Sequence, residues 1–139
     1  MKKALIIVQG KNSRTKRFGE EIAEFLLNRG LSAELVPIGS FEPKNLEGAD
    51  YLLLSGWRYG SLFSSKHPDN EWETFVKKLP TLKGIKTALF TTYKFFSGGM
   101  LRSMKKYLGN KTENLEFAFT SRDGSLSISD KLTLNDFIK

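Results

Sequence analysis

The chain alternates short apolar runs with segments of helical periodicity, and this alternation limits the folds that it can adopt. Continuous apolar runs at Ala4–Val8, Tyr51–Leu54 and Ile85–Phe90 are typical of strands that are covered on both faces. Between the first run and a further strand at Leu31–Ile38, apolar residues recur at helical spacing over Thr15–Asn28. A strand, a helix and a second strand within so short a span predict a parallel crossover unit.

The same alternation continues to the end of the chain. Three more helices are predicted, of which the last is unusually short: Glu71–Leu79, Gly98–Leu108 and Leu134–Ile138. A fifth strand is predicted at Leu115–Phe119, and the polar connector Gly39–Gly48 has room for a short helical turn. Five strands that alternate with helices predict an α/β fold, a three-layer doubly wound domain. Since the sequence has no repeat or linker, we expect residues 1–139 to form one domain.

Two of the predicted helices begin at residues that favour helix starts. Thr15 is predicted to be the N-cap of the first helix, and Asp69 or Asn70 that of the second. Glu71 and Glu73 are interpreted as helix-start carboxylates, which the helix dipole favours, and not as the acids of a hydrolase.

The residue types that are missing or rare exclude several kinds of chemistry. The chain has no cysteine, so disulfides, thiolate nucleophiles, cysteine-bound zinc and iron–sulfur clusters are excluded. His67 is the only histidine, and we interpret it as a solvated loop residue. No apolar run approaches the roughly 20 residues of a membrane helix, and the apolar part of residues 1–8 is too short for a signal peptide. We therefore expect a cytoplasmic protein without a membrane partner.

The chain is strongly basic, with a net charge of +7 and an isoelectric point near 9.6. Such a charge attracts acidic proteins, nucleic acid and anionic ligands at long range. An excess of lysine and arginine also keeps a small domain soluble without any partner. Both interpretations stay open at the level of sequence.

Three of the predicted strands lead into loops of glycine, hydroxyl and aromatic residues. In a parallel sheet the carboxyl ends of the strands form one rim, so these loops converge on it and build a ligand site. We predict no catalytic and no metal-binding residue. The predicted binding residues are Gly10, Lys11, Asn12, Ser13, Arg14 and Thr15 in the first loop, Ser55, Gly56, Trp57, Arg58, Tyr59 and Gly60 in the second, and Thr91, Thr92, Tyr93, Lys94, Phe95, Phe96, Ser97, Gly98 and Gly99 in the third.

The first and second loops suit different parts of a ligand. The first loop leads to a helix start, where free backbone N–H groups and the helix dipole favour an anion, and Asn12 and Ser13 add donors. Its glycine spacing fits neither a dinucleotide fingerprint nor a Walker motif. In the second loop, Trp57 and Tyr59 flank Arg58 and either stack on a planar ring or cover the core. Together the two loops predict an anionic ligand with a ring.

The order of the three loops resembles that of the flavodoxin-like FMN proteins. The matching features are a hydroxyl-rich first loop, an aromatic second loop that ends in Tyr59-Gly60, and a third loop that runs from Thr91-Thr92-Tyr93 to Ser97-Gly98-Gly99. The resemblance covers nearly the whole chain. It implies a three-layer sandwich with a five-stranded parallel sheet in the order 2-1-3-4-5. It further implies FMN as cofactor, with its phosphate in the first loop and its isoalloxazine ring between the second and third.

The first strand and loop fit the family's signature at some positions and depart from it at others. Val8 stands where an aromatic residue is usual, and Gly19 where alanine is usual. Gly10, Asn12 and Ser13 also replace the family's common residues. The positions that fit the signature are Ile6, Ile7, Thr15 and Ile22.

The resemblance implies a function in electron transfer or as a small flavin-dependent oxidoreductase. Its partner would be an acidic redox protein or a small-molecule electron acceptor. The alternative is a flavodoxin-like domain without flavin that binds another anion, nucleic acid or a protein through its basic rim. Nucleic acid is the less favoured partner, although aromatic residues interleaved with Arg58 and Lys94 also suit stacking on bases. A monomer and a homodimer are both compatible with the sequence.

Overall fold

In the computed structural model, five parallel strands form one sheet with helices on both faces. The structure describes residues 1–9, 13–56, 70–92, 98–121 and 123–139. The strands are β1 (Lys3–Val8), β2 (Ser32–Pro37), β3 (Tyr51–Ser55), β4 (Leu82–Thr92) and β5 (Thr112–Ser121). The helices are α1 (Ser13–Asn28), α2 (Asn70–Lys78), α3 (Gly98–Leu108) and α4 (Ile128–Phe137). Short 3-10 turns at Ile38–Ser40 and Pro43–Leu46 occupy the polar connector, as predicted.

The strand order is β2-β1-β3-β4-β5, and every neighbouring pair is parallel. Ile7 in β1 lies opposite Val36 on one side and Leu54 on the other, so β1 is central and paired along both edges. The order confirms the predicted fold class. In this order the topological switch point of the sheet lies between β1 and β3. Ligands bind at the switch point of such doubly wound sheets.

The alternation of side chains along the central strands divides the core into two layers. Ala4, Ile6 and Val8 contribute to a layer covered by α1 and α4, in which Phe18 and Phe137 are fully buried. Leu5 and Ile7 of β1 point to the opposite face. There they join a layer filled by residues of α2 and α3 and by the strands: Leu5, Ile7, Leu52, Trp72, Phe75 and Met104. Each such large apolar side chain contributes about 1.5–3 kcal/mol on burial, so both layers hold the helices on the sheet.

Several element boundaries differ from the prediction. α1 begins at Ser13, so Thr15 is the third helical residue and not the N-cap. Asn70 is likewise the first residue of α2, which excludes it as the cap, and Asp69 lies outside the described residues. β4 continues through Thr91 and Thr92, which the prediction placed in a loop, because β-branched threonine fits a strand as well as a turn.

The last helix is longer than predicted, since α4 begins at Ile128 and not at Leu134. The Ser127 hydroxyl accepts a hydrogen bond from the Asp130 N–H (3.0 Å), and the Asp130 carboxylate accepts one from the Ser127 N–H (3.1 Å). This reciprocal capping box fixes the start of the helix. Ile128 and Leu132 are exposed, which hides the helical pattern in the sequence. Among the described residues, no helix has both the length and the apolar character needed to cross a membrane.

Gly19 lies in the middle of α1 and allows this helix to pack closely on β1. A Cβ at this position would lie 2.5 Å from Val8 Cγ1 and 3.2 Å from Leu35 Cδ1. Val8 is buried, so its methyl group cannot move away freely. A helical glycine costs about 1 kcal/mol relative to alanine. The close approach explains why the chain has a glycine here and a small residue at position 8.

We expect Gly19→Ala to lower the free energy of unfolding by about 1 kcal/mol, because overpacking costs about 1–3 kcal/mol and exceeds the gain in helix propensity. In a Val8→Ala background the same change should stabilise the protein, since the new methyl group fills vacated space. Urea unfolding of the wild type, both single variants and the double variant measures this coupling. An equal effect of Gly19→Ala in both backgrounds would contradict the packing explanation.

Candidate functional site

The carboxyl ends of three adjacent strands, β1, β3 and β4, are joined by hydrogen bonds. The Gln9 N–H, directly after β1, donates to the Ser55 hydroxyl at the end of β3 (2.9 Å). The Gly56 N–H donates to the carbonyl of Phe90 in β4 (2.9 Å). Ser55 is fully buried, so its hydroxyl is used to hold the strands and does not face solvent. These bonds fix the rim from which the three predicted loops depart.

Two predicted site residues from different loops meet directly at the rim. The hydroxyl oxygens of Thr15 in α1 and Thr92 at the end of β4 lie 2.6 Å apart. Thr15 is 4% exposed and Thr92 5% exposed, so the hydrogen bond is buried. Such a bond is worth more than an exposed one, because a broken bond would leave a desolvated hydroxyl. The start of α1 and the end of β4 are therefore held together.

The start of α1 suits an anion. The first four N–H groups of a helix have no acceptor within the helix, and its dipole is positive at this end. The first turn of α1 contains no acidic residue, and Arg14, Lys16 and Arg17 are exposed. Arg17 also pairs with Glu21 at 3.4 Å, an ion pair at the surface that adds little stability. Cations oppose the dipole of their own helix at this position, so the arrangement favours an external negative charge.

Trp72 in α2 supports the end of β3 from the other face of the sheet. Its indole Nε1–H donates to the carbonyl oxygen of Ser55 (3.0 Å), and the side chain is fully buried. Trp72 therefore satisfies a buried backbone carbonyl at the first residue of the second loop, a contact that the sequence does not predict.

The turn between β5 and α4 lies against the backbone of Arg14 in α1, a contact that the sequence does not predict. The Ser121 hydroxyl donates to the carbonyl of Ser125 (2.9 Å) and accepts from the Gly124 N–H (3.1 Å). The Asp123 carboxylate accepts from the Ser125 N–H (2.8 Å), and this bond lowers the pKa of Asp123 below its usual value. The sequence 123–125, Asp-Gly-Ser, is the signal that predicts such a turn.

Only part of the predicted site falls within the described residues. Ser13 begins α1, and Gly98 and Gly99 begin α3. Across the described ranges, no group of three histidine, aspartate or glutamate residues is placed to hold a metal ion. The predicted site residues that lie outside the described part of the chain are Gly10, Lys11, Asn12, Trp57, Arg58, Tyr59, Gly60, Tyr93, Lys94, Phe95, Phe96 and Ser97. His67, interpreted as a solvated loop residue, also lies outside it.

The strand order and the position of the rim define a flavodoxin-like fold, and solved structures confirm it. The chain matches the two-electron reduced flavodoxin of Megasphaera elsdenii with a TM-score of 0.80, 20% identity and 96% coverage of each chain. It matches a short-chain flavodoxin associated with a non-canonical PDU bacterial microcompartment with a TM-score of 0.76 and 15% identity, covering 99% of this chain and 94% of that one.

A third match is the flavodoxin of Streptococcus pneumoniae TIGR4, with a TM-score of 0.72, 16% identity and coverage of 97% and 94%. Comparison with family models and with curated proteins found no match. At these identities the similarity establishes the fold. The resemblance that the three loops indicate is therefore confirmed for the architecture.

Proposed function

We propose that the chain binds FMN at the rim and acts in electron transfer. The observation that carries this proposal is the buried contact between Thr15 and Thr92, because it joins the start of α1 to the end of β4. The resemblance to flavodoxin-like proteins implies that the FMN phosphate lies at the start of α1 and that the isoalloxazine ring lies beside the loop after β4. A bound flavin supplies the redox chemistry, and the protein supplies binding, orientation and electrostatics.

The described residues fit the phosphate of FMN. The first turn of α1 lies at the positive end of the helix dipole and contains no carboxylate, and exposed cations lie beside it. We propose that the Thr15 hydroxyl and the backbone N–H groups of residues 13–15 hold the phosphate, with Asn12 and Ser13 as further donors. By the resemblance, the aromatic residues Trp57 and Tyr59 and the third loop, from Thr91 to Gly99, would hold the ring.

The charge around the rim supports an acidic partner. Arg14, Lys16 and Arg17 are exposed near the start of α1, and Arg102 is exposed in the second turn of α3. Because α1 and α3 pack on opposite faces of the sheet, cations lie on both sides of the rim. We propose an acidic redox protein as partner, for which opposite charge speeds association at low salt. A small-molecule acceptor is the other electron acceptor that we consider.

The proposed location is the cytoplasm, because a chain without cysteine needs no oxidising compartment to fold.

The second candidate function is binding of another anion without flavin. The basic start of α1 favours this alternative as much as it favours FMN, since phosphate groups of nucleic acid would meet the same N–H groups and cations. Binding of single-stranded nucleic acid with a steep salt dependence, by a protein that does not bind FMN, would support it.

The absorbance spectrum of the purified protein tests the first function. We expect flavin absorbance that disappears on chemical reduction and returns in air. The same protein should pass electrons to an acidic acceptor protein faster than to a basic one, and the difference should shrink with salt. A colourless protein that takes up no FMN would contradict the proposal.

A further inference from the structure

The turn between β5 and α4 lies directly against the backbone of α1 at its first helical turn. Gly124 has a φ of +86°, a conformation that side chains rarely adopt. A Cβ on Gly124 would lie 2.6 Å from the carbonyl oxygen of Arg14 and 3.4 Å from its Cα. No side chain fits between the turn and the helix at this point. Only glycine therefore permits the contact.

Two further contacts hold the turn along α1. The Leu126 N–H donates to the Glu21 carboxylate (3.1 Å), and the Arg17 guanidinium donates to the Ser125 hydroxyl (3.4 Å). The turn is also fixed internally, through the Ser121 hydroxyl and the Asp123 carboxylate. The hydrogen bonds within the turn and those between the turn and α1 therefore resist a movement of Gly124 away from the helix.

Thr15, the residue after Arg14, is held on the side of α1 that faces β4. Thr15 is bonded to Thr92 in β4, so the first turn of α1 lies between β4 and the turn that contains Gly124. A group inserted at position 124 must displace the Arg14 carbonyl or break this bond. Either movement changes the direction of the N–H groups at the start of α1.

We propose that Gly124 is a positioning residue: it lets the β5–α4 turn lie against the Arg14 backbone and so fixes the first turn of α1 for an anion. The ligand is the phosphate of FMN, a point that rests on the function proposed above. Gly124 itself does not touch the ligand.

The test compares Gly124→Ala with Gly84→Ala, a matched control. Gly84 also has a positive φ, +74°, but a Cβ there would meet nothing within 4 Å. Both variants therefore carry the same kind of backbone strain, and only one displaces Arg14. The dissociation constants for FMN and for riboflavin, which has the ring without the phosphate, are measured for the wild type and both variants.

We expect Gly124→Ala to weaken FMN binding roughly tenfold, the size of one lost charge-assisted hydrogen bond, and riboflavin binding less than about twofold. Gly84→Ala should leave both constants within about twofold. Amide hydrogen exchange at residues 14–16 should be faster in Gly124→Ala than in Gly84→Ala. If Gly124→Ala does not fold, Asp123→Ala, which removes the acceptor of the Ser125 N–H, should produce the same selective effect to a smaller degree.

Three outcomes would overturn the inference, and a fourth would separate it from the proposed function. Equal losses for FMN and riboflavin, or equal effects of the two alanine variants, would overturn it. Amide hydrogen exchange at residues 14–16 that is no faster in Gly124→Ala than in Gly84→Ala would also overturn it. This measurement needs no flavin. A wild type that binds neither flavin would overturn the FMN proposal and the phosphate role, while the exchange measurement would still decide whether Gly124 positions α1.

Discussion

Replacement of Thr15 by valine is expected to weaken FMN binding about tenfold and to lower the free energy of unfolding by about 1–3 kcal/mol. Valine has nearly the same shape as threonine, so the change removes a hydroxyl and little else. The loss of stability arises because the buried Thr92 hydroxyl loses its partner at 2.6 Å. The loss of affinity arises because, in our proposal, the Thr15 hydroxyl also donates to the phosphate. Fluorescence titration and urea unfolding measure the two effects.

The matched control is Thr92→Val, which breaks the same hydrogen bond from the other side. It should also reduce stability, because it removes the buried hydrogen bond between the two hydroxyls. Thr15 can still donate to the phosphate in this variant, so the preference for FMN over riboflavin should fall less than it does in Thr15→Val. If both variants lose this preference equally, or neither does, Thr15 does not contact the phosphate.

Replacement of Trp72 by phenylalanine is expected to lower the free energy of unfolding by about 2–4 kcal/mol. The buried Ser55 carbonyl loses its donor at 3.0 Å, which costs about 1–3 kcal/mol, and the smaller ring leaves unfilled space in the core. Thermal and urea unfolding followed by circular dichroism measure the loss without relying on tryptophan fluorescence.

The only other tryptophan provides the control for this prediction. The sequence analysis predicts that Trp57 belongs to the ligand site, so Trp57→Phe should change flavin affinity more than stability. A Trp72→Phe variant as stable as the wild type would show that the bond to Ser55 contributes little to the fold.

The parts of the fold that the sequence predicts well are those in which periodicity and burial agree. The central strands β1 and β3 are apolar at consecutive positions because both faces are covered, and α3 has the predicted bounds Gly98–Leu108. The prediction is less accurate where polar residues continue an element. β4 extends to Thr92, and α4 begins six residues earlier than Leu134, because exposed or hydroxyl-bearing residues at these ends look like loops in a sequence.

Sequence patterns also fail to predict single contacts in the candidate site. The sequence places Thr15 and Thr92 at one rim, since both lie near strand ends in a parallel sheet. It does not predict that their hydroxyls bond to each other, because the two residues are 77 positions apart and the contact depends on how α1 packs. The contact of Gly124 with Arg14 is missed for the same reason: it joins two elements that no local pattern relates.

Flavin binding is tested by titration of the flavin-free protein with FMN and, in parallel, with riboflavin, followed by flavin absorbance and fluorescence. We expect saturation at one FMN per chain, and tighter binding of FMN than of riboflavin, because the start of α1 holds the phosphate in our proposal. A folded protein whose addition changes neither spectrum would contradict the central claim that this fold binds FMN.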